Sequence, residues 1–204
     1  MGETGRPVAV APFLMARYLL TVAEYQGFVK DHGYNNKDLW SAGGFGEFSE
    51  PDGWKEQLRY LNRPVTGVSW FEASAYCAWK KVRLATEEEW ECAARCGREG
   101  VLYPWGPEDP DQHRANYYYE GCPQAPTPVG MYPEGATPTG IQDLAGNVLE
   151  WMSSWYKKDE TRVVRGGCWD LSPEYLRVSV RDRVRPQYRG GVVGFRCVRE
   201  LLPS

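Results

Sequence analysis

The chain is expected to fold as an α+β domain, with helices first, long irregular loops in the middle and strands gathered towards the C-terminus. Three features of the sequence lead there. Thr21 with Glu24, and Thr86 with Glu89, repeat the Thr-x-x-Glu signature of a helix start ahead of apolar residues at helical spacing. Between Gly97 and Gly140 the chain is rich in Pro, Gly and Tyr. Finally, in LRVSVRDRVR, Leu176, Val178, Val180 and Val184 alternate with Arg177, Ser179, Arg181, Arg183 and Arg185, the period of a half-buried strand.

Taken in order, the first helix follows Thr21, carries Tyr25, Phe28 and Val29 on one side and closes at Gly33. A polar, Gly-rich loop runs from Tyr34 to Arg63, with Trp40, Phe45, Phe48 and Trp54 expected to tuck against the body. Ser69 caps a second helix that turns Phe71, Ala75, Tyr76 and Trp79 inward. Thr86 caps a third that buries Trp90, Ala93 and Ala94. A turn at Gly146-Asn147 then leads to a short aromatic strand or bend, and TRVVRGG and GFRCVREL read as further strands. No repeat and no interdomain linker interrupts the chain, so residues 1–204 are read as one domain.

Composition removes several function classes. A net charge of -3 gives no general attraction to nucleic acid or anionic membrane, so the tail arginines are read as framework. No stretch is apolar for long enough to span a bilayer. The first residues lack the features of a signal peptide, and MGETGR has Arg6 where a myristoylation motif requires Ser or Thr. The default expectation is cytoplasmic. The six cysteines form no CxxC pair, and only His32 and His113 could join them, so no structural zinc site is expected. Cys92 and Cys96 are read as packing residues. Cys168 has no His neighbour in sequence to activate it and is read as structural.

Four segments together resemble the formylglycine-generating enzyme (sulfatase-modifying factor) family: PVTGVSWFEASAYCAW, RLATEEEWECAAR, DLAGNVLEW, and RGGCW with its closing GFRC. The resemblance extends over nearly the whole chain. It implies that family's variant of the C-type lectin fold, a small twisted antiparallel sheet with two helices and long irregular loops. It also implies that Cys77 and Cys197 lie close in space. The family's enzymes use two cysteines that bind copper, and the matching positions here are Leu171 and Leu176, which can neither ligate nor transfer electrons. The related iron-dependent sulfoxide synthases require a histidine cluster that His32 and His113 cannot supply. No catalytic residue is assigned and no cofactor is required.

DLAGNVLEW matches a calcium loop of the family, which by resemblance would use the side chains of Asp143 and Glu150 and the carbonyls of Gly146 and Val148. The competing reading has Asp143 capping the turn and Glu150 paired with a tail arginine.

The segment from about 168 to 193 resembles the variable proteins of diversity-generating retroelements. Its frame comprises RVVRGG, Trp169, Pro173, Leu176-Arg177, Arg181, Pro186, Arg189 and GFR. In those systems adenine-directed mutagenesis turns Asn codons into a restricted set of residues. Asp170, Leu171, Ser172, Tyr175, Val180, Asp182, Val184, Arg185, Tyr188, Gly190, Gly191 and Val192 all fall within that set, whereas Glu174 and Gln187 do not. The resemblance thus implies a ligand-binding protein, with those residues contacting a protein or other macromolecule. For Val180 and Val184 the competing reading is core valine on a strand. The alternatives for the whole chain are a non-diversified, non-catalytic sensor or partner module and, last, a copper-dependent oxidase.

Overall fold

The computed structural model describes residues 9–201; the N-terminal MGETGR segment lies outside them. Capping decides where each long helix begins. Thr21 accepts from the backbone N–H of Glu24 while the Glu24 side chain returns to Thr21, starting α1 (Val22–Lys30). Gly53 precedes a single turn, α2 (Trp54–Gln57). Ser69 with Glu72 opens α3 (Trp70–Lys80), and Thr86 with Glu89 opens α4 (Glu87–Arg95), both through complete capping boxes. Each such cap contributes about 1 kcal/mol.

The strands form two small sheets. One has the order β1 (Phe13–Met15), β7 (Cys197–Glu200), β2 (Arg83–Leu84), all antiparallel. The other runs β5 (Arg181–Val184), β4 (Thr161–Arg165), β3 (Leu149–Lys157), β6 (Val193–Gly194). Its β3–β6 pair is parallel, an exception to the expected antiparallel pattern.

The four-stranded sheet is covered on both faces. Leu149, Trp151 and Val164 face the larger core with Tyr25, Phe28 and Tyr76 from α1 and α3. Met152 and Val163, one residue out of phase, face Trp90 and Ala94 of α4. A third cluster of Tyr103, Ala115, Tyr117, Ala145 and Leu176 fills the space under the long central loops.

Several expectations are altered. The aromatic segment after Asn147 is the longest strand, β3, whose first residues are buried on both faces and therefore show no alternation. Leu176–Val180 is not a strand. Pro173–Leu176 forms a 3-10 turn, then Leu176 enters the third cluster and Val178 the second, so the two-residue spacing reflects two separate cores. GFRCVREL divides between the sheets, with Gly194 in β6 and Cys197–Glu200 in β7.

Helix α1 ends at Lys30, and Gly33 instead makes room for Phe28, since a Cβ there would lie 2.1 Å from the ring. Trp40 and Trp54 are buried as expected, while Phe45 and Phe48 are exposed. Of the two cysteines expected to pack, Cys92 is exposed and Cys96 half-buried. Among the described residues no helix is long and apolar enough to cross a membrane.

Arg165, 1% exposed, ties the C-terminal turn to α4. Its guanidinium donates to the carbonyls of Val178 and Val180 at 2.9 Å and to Glu91 at 2.8 Å. Replacing Arg165 by Met removes the donor to the Val178 and Val180 carbonyls and is expected to cost about 3 kcal/mol, read as a lower urea midpoint. An unchanged midpoint would show that the turn holds without the guanidinium.

Candidate functional site

The segment following β4 is built from consecutive tight turns. Backbone N–H groups of Leu171, Tyr175, Val180 and Tyr188 donate to the carbonyls of Cys168, Ser172, Arg177 and Arg185, at 2.9 to 3.1 Å. Such bonds use main-chain atoms alone, so they place no demand on the side chains the turns carry. Glycine is required at the entry: Gly167 has φ +71°, and a Cβ there would press on Leu176 and the Tyr175 carbonyl.

Framework residues fasten the turns to the core. The Trp169 N–H donates to the Asn147 carbonyl at 3.1 Å, and the buried Pro186 offers its carbonyl to the Trp70 N–H at 3.0 Å. Arg189 pairs with Glu72 at 2.9 Å. Glu72 is fully buried, caps α3 and accepts the Tyr34 hydroxyl at 2.6 Å. The exposed loop therefore hangs from the N-terminus of α3 by this ion pair and the Trp70–Pro186 bond, and the Glu72 carboxylate also links it to the aromatic core.

Between these fixtures, none of the predicted ligand-binding residues is fully buried. Asp170, Tyr175, Asp182, Arg185, Tyr188 and Gly191 are exposed, while Leu171, Ser172, Val180, Val184, Gly190 and Val192 are half-buried. Leu171, Val184 and Val192 also pack against the larger core, so they carry a structural load as well. Leu171, Tyr175, Val180 and Asp182 come together over Leu149 and Val164 at the β5 edge of the sheet. Tyr188 folds over Gly190, where a Cβ would meet its hydroxyl at 1.9 Å.

Sequence reasoning missed neighbours contributed by other loops. The Tyr118 N–H donates to the Leu171 carbonyl at 2.9 Å, and the Gly67 N–H to the Gly190 carbonyl at 3.2 Å. A backbone bond between distant loops leaves no trace in residue type, so no signal marked them.

Leu176, at one family cysteine position, is completely buried. Cys168 is also buried, and burial pushes its thiol up to about 11. Cys77 and Cys197 stand with sulfurs 3.9 Å apart as free thiols. His32 and His113 are both exposed, and among the described residues no three His, Cys, Asp or Glu side chains gather as a metal centre.

The 143–150 loop has Asp143 at φ +57° with its carboxylate accepting the Gly130 N–H at 2.9 Å. Burial raises the Asp143 pKa, partly opposed by that bond and by Arg196. Glu150 is wholly buried, and one of its oxygens accepts from Arg196 Nε at 2.7 Å. Its other oxygen, Oε1, has no hydrogen-bond partner. An orphaned carboxylate oxygen fits a hard cation. Gly146 and Val148, both buried, occupy the same turn. Asn147 stitches it to Asn116 and Thr127.

Residues 3–201 match the sulfatase-modifying factor enzyme 1-like domain. The chain belongs to that family. It is 34% identical over 233 residues to hercynine oxygenase of Mycobacterium tuberculosis, covering 95% of this chain and 54% of that protein. It is 39% identical over 160 residues to the inactive Cα-formylglycine-generating enzyme 2 of Bos taurus, covering 71% and 52%. The fold is also that of Treponema denticola variable protein 1, with a TM-score of 0.67, 22% identity and coverage of 91% and 84%. The family thus includes an enzyme and a member named inactive, and the chain spans from a quarter to about half of the length of the curated relatives it matches.

The Cys168 thiol should be silent to a thiol reagent at pH 8, where about one molecule in a thousand is ionised, and react only on unfolding. Its reactivity should rise as the pH approaches 11, whereas the exposed Cys92 should be open to the reagent without unfolding. Prompt native labelling of Cys168, mapped by mass spectrometry, would contradict the inert assignment.

Proposed function

We propose that this chain is a non-catalytic ligand-binding protein whose C-terminal surface is diversified by a retroelement on a fixed scaffold. The observation that carries the reading is the separation just described. Buried side chains and main-chain bonds hold the turns, while none of the residues compatible with adenine-directed change is fully buried and Asp170, Tyr175, Asp182, Arg185, Tyr188 and Gly191 are exposed. Tyr175 and Tyr188, 42% and 43% exposed, supply rigid contact area, and Asp170, Asp182 and Arg185 supply charge. A backbone already held in one conformation loses less entropy when a ligand binds. Leucine at both family cysteine positions, one of them inside the core, supports the absence of copper oxidase chemistry.

Sequencing of this gene across a population of its host tests the reading. Substitutions are expected to concentrate at Asp170, Leu171, Ser172, Tyr175, Asp182, Arg185, Tyr188 and Gly190 to Val192, over constant Trp169, Pro173, Pro186 and Arg189. Uniformly low variation would remove diversification and favour a dedicated sensor or partner module. The relative named inactive supports that second reading, since it shows that the family includes members described as inactive.

Calcium belongs to the proposal as a structural ligand, held by Asp143 and Glu150 through side chains and by Gly146 and Val148 through carbonyls. The unpartnered Oε1 of Glu150 supports it. Calcium at a hundred times its Kd should stabilise the native state by about 2.7 kcal/mol, seen as a higher Tm that a chelator reverses. Asp143→Asn should lose the calcium-dependent part of that rise. An identical Tm with calcium and with chelator would exclude the site.

A further inference from the structure

Where the end of α3 meets the three-stranded sheet, the surface opens into a cavity of about 500 Å³. Small-molecule sites enclose roughly 300–1,000 Å³. None of the lining residues lies between 168 and 193, so the cavity is separate from the variable segment.

Part of its wall is apolar. Leu14 of β1 stands directly opposite Arg199 of β7 in the antiparallel ladder, so the two side chains leave the sheet on the same face. The Leu201 N–H donates to the Pro12 carbonyl at 3.4 Å, which keeps Leu201 alongside β1. Leu14 and Leu201 are 46% and 49% exposed, and the half-buried Val82 joins them in the lining.

The rest of the wall carries charge, and the charges do not balance. Arg83 is engaged within the chain, gripping Glu89 at 2.6 and 2.7 Å and reaching Glu200 at 3.5 Å. Lys81 and Arg199 line the same cavity, and among the described residues neither has a side-chain hydrogen bond or an ion pair. With Arg83 and Glu200 offsetting each other, two positive charges remain unmatched, in a chain whose net charge is -3.

Lys81 is also held in an uncommon backbone conformation. It ends α3 at φ +56°, a region that glycine enters freely and other residues enter with strain. Glycine would close the helix there more easily. Nothing the ammonium bonds to within the described residues accounts for a lysine at that point.

We propose that this cavity binds a small amphipathic organic anion. Its apolar body rests on Leu14, Val82 and Leu201, and its carboxylate or phosphate is held between Lys81 and Arg199. Arg199 presents a planar fork that matches two oxygens, and Lys81 adds a point charge. A bare inorganic anion would leave the leucines uncovered. A neutral apolar molecule would leave both cations unmatched.

Calorimetric titration of the full chain with sodium octanoate and with octyl phosphate tests the site, with 1-octanol and acetate as partial ligands. At least one of the two amphipathic anions is expected to bind one to one, about tenfold or more tighter than octanol or acetate. A preference between them identifies the head group. Lys81→Gly and Arg199→Gln should each weaken that binding about tenfold. Lys81→Gly should melt no lower than the parent, because glycine relieves the backbone, so its lost affinity is not a folding defect. Leu14→Ser should weaken the amphipathic anion and leave acetate unaffected. The site is overturned if neither octanoate nor octyl phosphate binds saturably, if octanol binds as well as both, or if affinity is unchanged in Lys81→Gly and Arg199→Gln.

Discussion

A buried guanidinium holds the C-terminal half of this domain in place. Arg165 stands at the end of β4, inside the protein, with Trp90 beneath it at 4.9 Å and the carboxylates of Glu87 and Glu91 at 3.5 and 2.8 Å. Burial drags its pKa down, and the two glutamates oppose that pull. Taking such a charge out of water is costly unless it is fully engaged. The engagement here is with the chain itself: the carbonyls of residues 178–180 turn inward to meet it. Those carbonyls would otherwise have called for a neighbouring strand, and the segment is consequently a turn rather than a ladder.

The same solution is used at two further points. Arg189 suspends the last loop from Glu72 at the start of α3, and Arg196 joins Glu150 to the carbonyls of Ala16, Arg17 and Gln142. Ionic contacts of this kind are directional and specify one arrangement in places where a continuous apolar core cannot reach. The rest of the segment relies on main-chain turns. The outcome is a backbone defined from within, whose outward side chains contribute little to holding it.

The sequence disclosed a good deal of this, unevenly. The helices were legible because Thr21, Ser69 and Thr86 announce them and because each buries only one side. Strand β3 was not legible as the main strand, because Leu149 to Met152 are buried on both faces and a doubly covered strand has no polar phase. The alternation at Leu176–Val184 was genuine over its second half, Arg181–Val184, which is strand β5, and misled over Leu176–Val180, where the apolar residues enter different clusters. Exposure of the candidate binding residues was foreshadowed by their setting within a Pro, Gly and Arg frame. The contributions of Tyr118 and Gly67 depend on backbone pairing across distant loops, which no local pattern encodes.

The packing of Tyr188 against Gly190 bears on how such surfaces can differ from one another. The tyrosine hydroxyl occupies the volume in which any Cβ at position 190 would have to sit. A larger residue at 190 is admissible only if the ring swings away or gives way to something shorter, so the two sites are not independent coordinates. Among sequences sharing this backbone, positions 188 and 190 should covary, bulk at one trading against bulk at the other. The set of attainable surfaces is then smaller than the product of the choices at each site, and its correlations could be read from sequences alone.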